Sequence, residues 1–208
     1  MRIQCICGFN HLGVYEDVDS DYFFSRQGSI WGIATWRNRY MQHGDFSYGE
    51  SAYTMNLLKC RTKHNRIAWR RLNAYAKQST YEGHVAGNEF WIEFNMYSQN
   101  RLQIIPQKNM ISNIGATSNS SHSAELNKLP RGIRKVFNSK VYDVDFPLKV
   151  NDYIIPDVKY EKKRNRIMGY NYSLINFYRK FERFVRIFVS GDMTLLKKKL
   201  KRNIQIEK

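Results

Sequence analysis

Cysteine is scarce in this chain, with only Cys5, Cys7 and Cys60 among 208 residues. Three thiols cannot build a disulfide framework, so a small cross-linked secreted scaffold is excluded and a reducing, cytoplasmic setting is expected. Cys5-Ile6-Cys7 is a C-x-C without a second ligand pair at usable spacing, which reads as thiols on a short strand rather than a zinc site. Four prolines and twelve glycines exclude collagen-like and proline-rich chains. No run of about 18 apolar residues occurs, so no spanning helix is expected, and no basic-then-apolar leader opens the sequence. Acid is also short: 18 Asp and Glu stand against 34 Lys and Arg, a formal net charge of +16. Such an excess points to an anionic partner.

What is present suits a folded domain, because 42% hydrophobic and 14% aromatic residues can enclose a core at this length. The positive charge is unevenly placed. Lys159 to Lys208 holds fifteen basic and four acidic residues, net +11, leaving net +5 for the preceding 158. A second basic run from Lys59 to Lys77 has no acid near it, so the remaining body is close to neutral. This division predicts a body over 1–158 and a basic amphipathic tail over 159–208.

Periodicity predicts a short half-buried strand over Ile3–Gly8 and an amphipathic helix within 51–75, with Leu72 on its apolar face and Arg66 and Arg70 opposite. Glu89 to Ile105 passes from a helix bearing Phe90, Trp91, Phe94 and Tyr97 into a strand over 102–105 that Pro106 ends. Val141 to Phe146 alternates as a further strand. The aromatic stretch Tyr22 to Trp36 is too glycine-interrupted for a helix and reads as core or as a pocket wall. Asn113-Ile114-Gly115 leads into a small-residue run that is either a linker or a set of backbone N–H groups able to receive an anion. Asp17-Val18-Asp19 and Asp143-Val144-Asp145 have the D-x-D spacing that can hold a divalent cation. In the tail, Leu174, Phe177, Tyr178, Phe181, Phe184, Val185 and Phe188 recur every three or four residues, with Arg179, Lys180, Arg183 and Arg186 off that stripe. Two readings stand for it: a helix lying in the interface of an anionic membrane, or one packed on its own domain or a subunit.

The order of several motifs resembles bacterial nucleotide-diphospho-sugar glycosyltransferases of the GT-A type. Ser20-Asp21-Tyr22-Phe23-Phe24-Ser25-Arg26, then Trp31-Gly32-Ile33-Ala34-Thr35-Trp36-Arg37, resembles the family's S-Y-Y-F-S-R and W-G-W-A-T-W-R. Asn100 to Pro106 and Asn109 to Gly115 resemble its N-G-L-x-I-x-P and N-L-V-S-N-I-G, His122 falls at the histidine of A-T-H-T, and Phe146-Pro147-Leu148 matches F-P-L. The match departs at Ile33, Ala116 and Val150-Asn151.

The resemblance implies an α/β fold: the C-terminal portion of a GT-A-like, Rossmann-related fold, a short mixed sheet with helices, followed by the C-terminal amphipathic helix. Because it begins at what corresponds to the last central strand, the nucleotide-binding half with the donor D-x-D is expected to be lost or carried on a separate polypeptide. The implied reaction moves a sugar from a nucleotide sugar to a glycan or lipid-linked acceptor, using a carboxylate as base. Glu89 is the first candidate and Glu93, one turn on, the second. Arg26, Trp31, Gly32, Trp36, Asn113 and Gly115 are implied in substrate binding, and His122 in contact with a divalent metal, Mn or Mg. The implied place is the inner face of the cytoplasmic membrane, held peripherally through residues 172–202. A non-enzymatic basic protein binding nucleic acid or a membrane surface is the alternative; no nucleic-acid motif supports the nucleic-acid form.

Overall fold

The computed structural model describes residues 2–42, 44–63, 65–77, 80–81, 84–114, 126 and 129–194. It is an α/β protein, and no helix among those residues is long and apolar enough to cross a membrane. Two compact units are present: Met1–Ser112 with Lys140–Asn171, and Asn113–Ser139 with Tyr172–Lys208. The helix Val158–Met168 therefore belongs with the body, although charge alone assigns it to the tail.

The first unit is built on a four-stranded mixed sheet. Its strands are β1 (Ile3–Cys7), β2 (Tyr22–Ser25), β3 (Ile33–Thr35) and, much later, β6 (Leu102–Pro106), in the order β2-β6-β1-β3. β1 runs parallel to β6, while β3 is antiparallel to β1 and β2 antiparallel to β6. β1 is thus an interior strand: Ile3, Cys5 and Cys7 are buried on one face, while on the other Gln4 is buried and Ile6 is 43% exposed. The half-buried strand expected from the sequence is present, and Gln4 departs from it because its amide oxygen accepts from Arg101 Nη1 at 3.0 Å in the interior. A separate two-stranded ladder, β4 (Thr80–Tyr81) with β5 (His84–Val85), is the other sheet.

Between the strands lie α1 (Arg37–Tyr40), α2 (Ala52–Arg61), α3 (Arg66–Lys77) and α4 (Asn88–Ser98). The single helix expected within 51–75 is two helices. Thr62 Oγ1 turns back to Leu58 O at 2.8 Å, and Asn65 Oδ1 accepts from Ala68 N at 3.1 Å, starting a new helix. Polar side chains that bond the local backbone compete with helix propagation in this way. Asn65 Nδ2 also donates to the Tyr97 hydroxyl at 3.0 Å, tying the break to α4. Leu58, Leu72, Tyr75, Phe90 and Trp91 form the helical core. Ile92 and Met96 of α4 cover Cys5 and Ile33 on the sheet.

The first unit closes with α6 (Val158–Met168), capped by Asp157 Oδ1 accepting from Tyr160 N at 2.8 Å and stopped by Gly169 in the left-handed region. Tyr160 is fully buried and meets Phe23 and Tyr15, with ring centroids 4.6 and 5.5 Å away. The strand expected over 141–146 does not form. That segment has no ladder partner among the described residues and is held by single bonds, Tyr142 N to Asn109 O at 2.9 Å and Asn109 Nδ2 to Lys140 O at 2.8 Å.

The second unit contains α5 (Arg131–Arg134) and α7 (Ser173–Val189), and α7 matches the periodic stretch of the tail.

Candidate functional site

Leaving β2 at one edge of the sheet, the chain passes through Arg26 to Trp31 and enters β3 at the other edge. On the way Gly28 presses on the sheet so closely that a Cβ there would stand 1.8 Å from Gln103 Oε1. The crossing is pinned at its start by Glu161 of α6, whose Oε1 accepts from Arg26 N at 2.8 Å and Ser25 Oγ at 3.1 Å. Near its middle, Arg164 donates to Gln27 Oε1 at 3.4 Å and Gly28 O at 3.3 Å. At its end, Gly8 N donates to Gly32 O at 2.9 Å, and the Trp31 ring meets the edge of Phe9 at 4.9 Å between centroids. Gly32 holds φ +57, and a Cβ there would lie 2.5 Å from Ile111 Cδ1. Only glycine is comfortable at that position.

Arg164 is the electrostatic centre of this region. Burial pushes the Glu161 carboxyl above its ordinary value, against the opposing pull of Arg26 and Arg164. On α4, burial likewise raises Glu93, outweighing first Arg71 and then Arg164, with Glu89 adding to the rise. His11 is driven well below its usual value by burial and then by the Arg164 charge, so its imidazole is neutral. Two enclosed carboxyls on different helices therefore feel one guanidinium. Arg26 Nε, Arg164 Nε and His11 Nδ1 are buried with no hydrogen-bond partner among the described residues, so the two guanidiniums keep donor capacity here for an anion.

The sequence-predicted residues fall into separate places. Arg26, Trp31 and Gly32 share the crossing. Trp36 stands at the far end of β3 from Gly32 and is 38% exposed, where its carbonyl begins α1. Tyr40, 41% exposed, receives a hydrogen bond from Asn88, which places it at the start of α4, where exposed Glu89 is the next residue. Glu93 turns inward to Arg71. The wall read as continuous from Trp31 to Trp36 is therefore two sites, because the extended strand β3 lies between the two tryptophans and sets them beyond its opposite ends. Asn113 belongs to the second unit, and Gly115 and His122 lie outside the described residues.

Sequence reasoning missed Glu161, Arg164 and His11. The available signal was Glu161 as the lone acid within a basic run from Lys159 to Arg166. For a divalent cation the described residues fit poorly. No three His, Cys, Asp or Glu side chains gather among them, and Asp17 of the first D-x-D is bound to Lys159 at 3.1 Å and to Lys163. No protein family, curated protein or solved structure matches the chain. What stands is the class: an α/β protein with a small mixed four-stranded sheet and an enclosed cluster of carboxyl and guanidinium groups.

Proposed function

We propose that the chain is the acceptor-side part of a GT-A-type glycosyltransferase. It would move a sugar from a nucleoside diphosphate to a hydroxyl of a surface polysaccharide or glycolipid, at the inner face of the cytoplasmic membrane. The observation that carries this reading is Tyr40, an exposed ring whose hydroxyl is bonded by Asn88 immediately before exposed Glu89 at the start of α4, with exposed Trp36 one turn earlier, where α1 begins. Aromatic faces stack on the apolar face of a pyranose, and a carboxylate beside them can take a hydroxyl proton. In the step, the acceptor O–H proton passes to Glu89 and its oxygen bonds to the anomeric carbon as the bond to the diphosphate breaks. The charge left on the diphosphate must be met by positive groups beside that bond, which we assign to the nucleotide-binding half, because Arg26 lies with Trp31 and Gly32 at the other site. Glu93, 14% exposed and paired with Arg71, is a positioning residue for the α4 terminus.

The nucleotide itself calls for a Rossmann-like half, which we assign to a separate stretch of polypeptide. A divalent cation enters this proposal only through His122 and that half, and no step above depends on it.

The test is glycan binding and turnover by the full chain. Calorimetry against oligosaccharide acceptors should give binding that W36A removes. With the nucleotide-binding half supplied, E89Q should keep acceptor binding and lower kcat about a hundredfold or more. Absence of glycan binding by a folded chain overturns the proposal, and tight RNA or DNA binding at physiological salt would replace it with the nucleic-acid reading.

A further inference from the structure

The stripe on α7 faces out. Leu174, Phe177, Phe181, Phe184 and Phe188 are 86, 73, 60, 45 and 61% exposed, while Ile187 on the opposite side is 1% exposed. The polar side is the one held within the second unit. Glu182 Oε1 accepts from Arg131 N at 2.9 Å and from Arg186 Nε at 2.8 Å, and Arg179 Nη2 lies over Gly132, 2.7 Å from where a Cβ would sit. Burial holds the Arg179 and Arg183 guanidiniums below their ordinary values, and Arg183 Nε has no hydrogen-bond partner among the described residues.

For a surface meant to face water this orientation is reversed, because guanidinium is drawn inward and phenylalanine is left outside. It becomes favourable when an apolar phase covers the stripe. Charge identifies that phase. Residues 113–139 and 172–208 hold fourteen basic and four acidic side chains, net +10. A second copy would set +10 against +10, whereas an anionic bilayer offers both hydrocarbon for the rings and opposite charge for the unit. A helix of 17 residues extends about 25 Å, enough to lie along the interface with its rings at the headgroup–acyl boundary.

We propose that α7 is a preformed interfacial helix. Its polar face is fixed to the protein, and its aromatic face docks the chain on an anionic lipid bilayer. Five of those fourteen basic residues fall in the run Lys197 to Arg202, outside the described residues. The inference rests on the second unit alone and is independent of the glycosyl-transfer proposal.

Cosedimentation of the full chain with vesicles tests it. Partitioning is expected on phosphatidylglycerol–phosphatidylcholine vesicles and not on phosphatidylcholine alone. F181E/F184E, on exposed positions and checked for an unchanged Tm, should weaken it about tenfold or more, and K180E should weaken it in a salt-dependent way. No partitioning, or partitioning indifferent to F181E/F184E, overturns the proposal. So does self-association that the same variant abolishes without vesicle binding, which would make a second copy the occupant. Glycan binding that survives F181E/F184E separates the two proposals.

Discussion

Arg71 Nη2 sits against both carboxylate oxygens of Glu93, 3.0 Å from Oε1 and 2.8 Å from Oε2, and so ties α3 to α4. The side chains are 29% and 14% exposed, which places the pair between a surface salt bridge and a fully buried one. Pairs of this kind add little over an apolar replacement, yet breaking one leaves an uncompensated charge.

R71M is therefore expected to lower stability by about 2–3 kcal/mol, and R71M/E93M to recover part of that loss. Urea denaturation of the two variants and the parent provides the comparison. Equal stability of R71M and the parent would show that solvent already screens Glu93.

The raised carboxyls predict a pH dependence. Glu93 and Glu161 both sit above their ordinary value of 4.5 in the fold, chiefly through burial. Each binds its proton more tightly when folded, so its stabilising contribution is complete below pH 4.5 and is lost as pH rises through the folded pKa. Asp17, held low by Lys163 and then Lys159, works in the opposite sense. Comparing the urea midpoint of E93Q with that of the parent across pH cancels the Asp17 effect. The parent should fall relative to E93Q as pH increases from 4.5; parallel curves would refute the raised pKa.

Periodicity made β1, β6, α4 and α7 readable, because each carries a pattern its own length completes. The break at Thr62–Asn65 was not readable, since its cause is two polar side chains choosing backbone partners. The alternation over 141–146 misled, because an alternating segment is a strand only where another strand offers an edge. Trp31 and Trp36 looked like neighbours in sequence, and the extended strand between them set them apart. Glu161 and Arg164 were hidden inside a basic run that charge assigns to the tail, and only packing under the Arg26–Trp31 crossing reveals that Glu161 is buried and Arg164 half-buried. For α7 the stripe was legible but not its direction, which its contacts to Arg131 and Gly132 decide.

Glu161 should behave as a structural acceptor. E161A strands the Arg26 N–H and the Ser25 hydroxyl, at a cost of about 2–4 kcal/mol, whereas E161Q keeps a carbonyl oxygen for them and should lose less than half as much. Thermal unfolding of both variants checks the difference, and equal losses would point to charge rather than hydrogen bonding.

G32A places a Cβ in the left-handed region and against Ile111, for an expected loss of about 2–3 kcal/mol. Adding I111A should relieve the steric part and leave the backbone part, so G32A/I111A should be destabilised by less than the sum of the single variants. Strict additivity in denaturant melts would contradict the contact.

The sheet order also sets a timetable for synthesis. β1 and β3 can pair early, but the other side of β1 belongs to β6, about a hundred residues later, and such distant pairings slow folding. Until Pro106 has left the ribosome, the nascent chain carries an interior strand with an open, apolar edge. That window, rather than any weakness of the finished fold, is where the polypeptide is most open to aggregation and has most use for a chaperone.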